Sequence, residues 1–223
     1  MVSSDYRERA RRMLSGKWGI AILVTFIASL LGGLATGGGN SLDLEAEELA
    51  RLPEAIRNVI VMLMGGAAIL GFIQFIIGGV VELGYSRFLL NLHDDQEAGV
   101  SDLFSQFDRF ADGFCLALLR ALFVALWSLL LVIPGIVASY GYSMAGFLMT
   151  ENPNMTATEA LRASKELMRG HKFELFCLDI SFIGWAILAV FTLGIGGLWL
   201  MPYENASRAA FYRELVGQKV TVE

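Results

Sequence analysis

Histidine and cysteine are nearly missing from this chain, with two of each in 223 residues. The common catalytic signatures are missing as well. There is no HExxH, no GxSxG, no GxxxxGK[ST] phosphate loop and no dinucleotide fingerprint opening after a strand, so no such chemistry has a basis here. His93 opens the run HDDQE at 93–97, but adjacent polar residues in a short linker read as solvated rather than as metal ligands. Neither a metal site nor a cofactor is expected. The glycine-rich run GGLATGGG at 32–39 has no lysine and no helix start behind it, so it reads as a flexible exit and not as a phosphate cradle. Acidic residues outnumber basic ones by 22 to 17, a formal charge of −5. That balance argues against nucleic acid as a partner. Charge of either sign is scarce: only 17% of residues are charged and 55% are hydrophobic, too apolar for an ordinary soluble domain.

What is present is a series of long apolar runs. A membrane-spanning helix needs about 20 mainly apolar residues, and the runs at 18–35, 59–81, 114–133 and 175–193 approach or exceed that length. Two shorter and more polar runs, 136–149 and 196–210, bring the expected number of spans to six. The expected fold class is therefore all-α: a polytopic membrane protein in a single domain. The opening SSDYRERARRML carries Asp5 and Glu8 and is amphipathic, unlike a cleavable secretory leader.

Lysine and arginine near span ends set orientation. Five basic residues (Arg7, Arg9, Arg11, Arg12, Lys17) precede the first span, and four (Arg162, Lys165, Arg169, Lys172) lie between the fourth and fifth. The loop at 37–58 holds only Arg51 and Arg57 among five acids, Asp43, Glu45, Glu47, Glu48 and Glu54. That acidic loop is expected outside and both termini in the cytoplasm. An even span count then requires turns at Pro134-Gly135 and at the GIGG of 194–197. Cys115 and Cys177 fall near cytoplasmic span ends, where a disulfide is not expected.

A register repeats through the chain. Gly-Tyr-Ser occurs at Gly84 and again 57 positions later at Gly141. Tyr85 to Ser101 and Tyr142 to Thr158 are both 16 positions, while Ser4 to Gly16, Ser101 to Gly113 and Thr158 to Gly170 are all 12. An acid follows each hydroxyl: Asp5, Asp102 and Glu159. A hydroxyl cap, an acid in the first turn and a closing glycine mark a short helix. Thr156 and Glu159 also have capping-box spacing. The third helix would place Ala160, Leu161, Ser164, Leu167 and Met168 on one face and Arg162, Lys165 and Arg169 on another; the second has Leu103, Phe104, Phe107, Phe110 and Ala111. Such helices are expected on the cytoplasmic membrane interface, with Arg162, Lys165, Arg169, His171 and Lys172 toward anionic head groups. Each unit is then an interfacial helix, a glycine and a hairpin of two spans, over about 4–92, 101–150 and 158–216. The tyrosines of the repeat, Tyr203 included, are expected to pack and anchor near the interface. Residues 57–92 would make about 50 Å of helix if continuous, so a kink near Gly78-Gly79 or an extension into the acidic loop is expected.

GKWG at the first span, SKELMRGHKFELFCLDISFIGW at 164–185 and MPYENASRAAFYREL at 201–215 resemble the bacterial integral-membrane family known as domain of unknown function 975. The likeness runs from about residue 5 to about residue 216. A looser similarity connects that family with the membrane portion of some glycerophosphodiester phosphodiesterases. The resemblance implies a multi-pass protein of the bacterial cytoplasmic membrane and no catalytic residues. Gly146-Phe147 stands where the family pattern often has Pro-Tyr, which removes the residue that would kink span four.

Chemistry must then be sought in polar residues within apolar runs, where they are costly and often functional. Glu82, Arg120, Asp179, Glu204, Asn205 and Arg208 are expected to line one polar cavity for a head group, ion or small solute, with Tyr203 beside them. Arg120 and Asp179 have matched depths of roughly 10 Å along their helices, which predicts that they pair. A structural reading of the same residues is that Arg120 snorkels, Glu204 and Arg208 pair within one helix, and Asp179 accepts hydrogen bonds from its neighbours. The expected function is non-enzymatic: a membrane interaction or lipid-associated factor with anionic lipids and another membrane protein as partners. The alternative is a small carrier or export/immunity-type transporter using the polar cluster. A membrane lipid enzyme is the weakest reading, because no base, nucleophile or metal set is visible.

Overall fold

A computed structural model describes residues 3–32, 53–130, 132–192 and 194–222. All of the GGLATGGG run after Gly32 and most of the predicted acidic loop lie outside these residues. Every regular element among them is helical.

α1 (Ser3–Leu14) places Tyr6, Ala10 and Leu14 at a spacing of four and buries all three. Asp5 in its first turn and Arg11 and Arg12 in its last complement the helix dipole. Gly16 then adopts a φ of +77°, a left-handed conformation that glycine enters without a Cβ penalty. Beyond it the chain bends by 103° into α2 (Trp18–Gly32).

α3 (Glu54–His93) is one helix of 40 residues, about 60 Å long. Of the two expectations, the extension holds: the helix is unbroken through Gly78-Gly79 and takes up its extra length by starting at Glu54, inside the segment read as the acidic loop. The glycines serve close approach instead. A Cβ on Gly79 would lie 2.1 Å from the Gly113 carbonyl oxygen, and one on Gly84 2.2 Å from that of Leu103.

The second short helix departs from its predicted limits. α4 (Val100–Phe104) is capped at Gly99, not Ser101, and Asp102 Oδ2 accepts the Gly99 N–H at 3.0 Å. A single 3-10 turn (Phe107–Arg109) leads into α5 (Phe110–Leu130). Gly113 therefore lies inside α5 and is no helix stop: it is the point at which α5 crosses Gly79.

α6 (Val132–Tyr142) packs antiparallel against α5. Pro134, expected in a turn between the third and fourth apolar runs, sits instead in the first turn of α6, where a missing N–H costs nothing. Gly135 is needed for contact, since a Cβ there would lie 2.1 Å from Ser128 Oγ. The segment expected to form the fourth span does break, without proline, between α6 and α7 (Ala145–Glu151). Ser164 satisfies the freed backbone groups: its hydroxyl donates to the Gly141 carbonyl (2.8 Å) and accepts the Met144 N–H (3.2 Å).

α8 (Ala157–Leu167) carries the reciprocal cap. The Thr156 N–H donates to Glu159 Oε2 at 2.9 Å, and the Glu159 N–H donates to the Thr156 hydroxyl oxygen at 3.4 Å. The backbone N–H and the hydroxyl of Thr156 hold the Glu159 carboxyl below its ordinary range. The folded-state value lies under the unfolded one. The cap's contribution is therefore complete above the ordinary carboxylate range and is lost as pH falls through the lower folded-state value. Thr156→Ala should cost about 1 kcal/mol. Amide protection factors over 157–160, taken relative to intrinsic exchange at the same pH, should fall in this variant at neutral pH, and in the parent protein only on acidification.

Gly170, with φ +88°, ends this segment as Gly16 ends the first. α9 (Lys172–Ile180) and α10 (Ile183–Phe191) follow, and a turn with Gly194 at φ +85° leads into α11 (Gly197–Val222).

The packed core lies where α1, the C-terminal half of α3, α7, α9 and α11 meet, around Leu14, Phe88, Met144, Phe211 and Tyr212. Arg213, within α11, ties the ends of α3 and α7 here by pairing with Asp94 and Glu151. Toward the other end the helices are apolar and bare: Met62 is 80% exposed, Leu129 88% and Phe191 81%. By length and composition three helical stretches could cross a membrane, Ile69–His93, Val100–Leu129 and Lys172–Phe191, with a fourth if the bent α1–α2 pair is one span. Tyr85 and Tyr142 are packed in the core as expected, at 4% and 8% exposure. The Tyr85 hydroxyl sits 2.8 Å from that of Thr25.

Candidate functional site

A half-open cavity of about 830 Å³ lies between the helices. α3 lines it with Gln74, Gly78, Glu82, Tyr85 and Leu89, a stripe at spacings of three and four that keeps one helix face inward. The stripe covers roughly 22 Å of helix. α5 does the same with Ala117, Arg120, Ala121 and Val124, and α6 with Ile136, Ser139 and Tyr140, followed by Ser143 in the break after it. α9 adds Leu175 and Asp179, and α11 adds Asn205 and Arg208.

The charges in this cavity are paired. Arg120 Nη1 and Nη2 donate to Glu82 Oε1 and Oε2 at 2.5 and 2.6 Å, a two-bond fork that fixes the orientation of both side chains. Arg208 Nη2 lies 3.1 Å from Asp179 Oδ1 and 2.9 Å from Glu204 Oε1. Asn205 donates to the carbonyl of Met201, one turn back on α11, at 2.9 Å. The pairing predicted between Arg120 and Asp179 is not the one formed. Glu82, on the neighbouring α3, presents both oxygens to Arg120, while α11 brings Arg208 to Asp179. Matched depth on two helices did not reveal which third helix stood closer.

Of the residues singled out in the sequence, Glu82, Arg120, Asp179, Asn205 and Arg208 line the cavity and Glu204 touches it through Arg208. Tyr203 does not line it. Its ring packs between Trp18 and Phe182, and its hydroxyl accepts from Arg11 at 3.5 Å. Sequence reasoning passed over Tyr85, Ser86, Ser139, Tyr140, Ser143 and Phe147 as lining residues. The stripe Ile136-Ser139-Tyr140-Ser143, polar at three of four positions on one face of an apolar run, was the available signal.

The basic residues proposed for head groups are placed differently. Ala160, Leu161, Ser164, Leu167 and Met168 are buried against the protein, with α8 packed on α5, α6 and α7. The apolar face of α8 is thus satisfied within the fold. Arg162, Lys165 and Arg169 remain exposed. His171 Nδ1 is 3.2 Å from Glu174, and the Lys172 ammonium lies against Gly141. The second helix differs: Leu103 is buried, but Phe104, Phe107 and Phe110 are exposed. Among the described residues, no three His, Cys, Asp or Glu side chains converge to hold a metal ion.

A family model described as Protein of unknown function (DUF975) matches residues 1–138 and 128–219. No curated protein and no solved structure matches the chain.

Proposed function

This chain belongs to the family described as Protein of unknown function (DUF975), and from that premise we propose that it is a lipid-associated protein of the bacterial cytoplasmic membrane, without enzymatic activity, that holds an amphiphile in its polar-floored cavity. Six spans cross the bilayer as three hairpins: α2 with α3, α5 with the broken α6–α7 pair, and α9–α10 with α11. Both ends of the chain and the segments α1, α4 and α8 lie on the cytoplasmic side, where their basic residues meet anionic lipid.

The observation that carries this reading is the combination of an 830 Å³ cavity with paired charges on its floor and bare apolar helix ends around it. That volume falls in the range of ligand pockets. Exposed apolar surface of this extent marks contact with lipid or a partner. The right-angle bend at Gly16 supports an interfacial α1 followed by a spanning α2, and Phe104, Phe107 and Phe110 suit insertion at the boundary.

The carrier reading draws on the same charge pairs, which a polar solute could exchange. Mild solubilisation followed by native mass spectrometry separates the two. The expected result is one amphiphile retained per chain, depleted in Arg120→Gln. Retention of no amphiphile, together with solute uptake by proteoliposomes, would overturn the proposal in favour of the carrier.

A further inference from the structure

We infer that the cavity selects an amphiphile with a cationic ammonium head over one with an anionic head; this deepens the amphiphile reading above and rests on it. Three carboxylates, Glu82, Asp179 and Glu204, face two guanidiniums, Arg120 and Arg208. Both cations are already engaged. Arg120 spends its two terminal nitrogens on the two oxygens of Glu82, and Arg208 is shared between Asp179 and Glu204. Among the described residues, no other lysine or arginine lines the cavity. An anionic head would have to displace a carboxylate from one of these pairs, and would meet a surplus of negative charge in doing so.

An ammonium meets the opposite situation. Both contacts from Arg208 to Asp179 fall on a single oxygen, Oδ1, and the Tyr140 hydroxyl also bonds this carboxylate, whose two oxygens with about four lone-pair sites still have capacity for a further donor. Four aromatic rings, Phe75, Tyr85, Tyr140 and Phe147, also line the space. Aromatic faces beside a carboxylate are the surroundings that hold an ammonium, through the negative face of the ring quadrupole. The charged floor lies near the middle of the roughly 22 Å stripe on α3. Apolar residues Ala121, Val124 and Ile136 also line the cavity and offer surface to an alkyl chain.

The test uses the full-length protein in dodecyl maltoside micelles, doped in turn with dodecyltrimethylammonium, dodecyl phosphate and dodecanol. Bound probe is counted by native mass spectrometry and binding is followed by thermal unfolding. Dodecyltrimethylammonium should bind at one per chain, about tenfold more tightly than dodecyl phosphate. Asp179→Asn should abolish that preference; Glu204→Gln, which removes the same charge from beside the cavity, serves if the first variant does not fold. Equal binding of the three probes would overturn the charge selection and leave the amphiphile reading standing. Preference for dodecyl phosphate, or an ammonium preference unchanged in both variants, would likewise overturn the selection. Binding of no probe would overturn both.

Discussion

Gly79→Ala should destabilise the bundle by at least about 2 kcal/mol, the scale of overpacking a closed contact. Gly71→Ala, two turns earlier on the same helix, should leave stability unchanged or raise it slightly. A methyl on Gly79 would stand 2.1 Å from the Gly113 carbonyl oxygen and 3.1 Å from the Ala117 methyl. The first neighbour is backbone inside a helix and cannot rotate away. Relief would require α3 and α5 to separate, and this crossing lies directly beside the Glu82–Arg120 pair. Gly71 has nothing within 4 Å, so alanine there adds only its better helix propensity, up to about 1 kcal/mol. Thermal unfolding of the two variants in the same detergent provides the comparison. Equal midpoints would mean that α3 and α5 are not in contact at Gly79.

This contrast also shows what the sequence could convey. The periodicity of apolar residues marked where helices run, because a stripe at spacings of three and four is a local property of the chain. The caps were local too: Thr156 and Glu159 are three residues apart, and their reciprocal bonds needed no distant partner. Glycine was ambiguous. Gly16 and Gly170 end segments with positive φ, whereas Gly113, at the same spacing from its hydroxyl, continues a helix and accommodates Gly79. What distinguishes them is a second helix brought from 34 positions earlier in the chain, which no local pattern encodes. The break at 143–144 had the same origin. Without proline it depends on Ser164, 20 positions away, to satisfy Met144. Polar residues within apolar runs could be recognised as a set, because each is costly in a membrane unless it has company. Which arginine would meet which carboxylate depended on helix adjacency, and there the expectation failed.

Those pairings predict a specific pattern of coupling. Glu82→Gln and Arg120→Gln should each cost stability, and the double variant should cost less than the two together by about 1–3 kcal/mol, the penalty for leaving a charged partner unsatisfied. The side chains are 21% and 30% exposed to the cavity, so the larger cost of stranding a fully buried charge does not apply. Asp179→Asn combined with Arg208→Gln should show coupling of the same sign. It should be smaller, because Arg208 keeps Glu204 at 2.9 Å when Asp179 is neutralised. Arg120→Gln combined with Asp179→Asn should come close to additive, since each residue has its own partner and they share none. The measurement is unfolding free energy or midpoint for the three cycles in one detergent at one ionic strength. A strong coupling confined to the Arg120–Asp179 cycle would mean that the helices exchange partners. The fork between α3 and α5 would then be one arrangement of a cavity whose charge pairs rearrange.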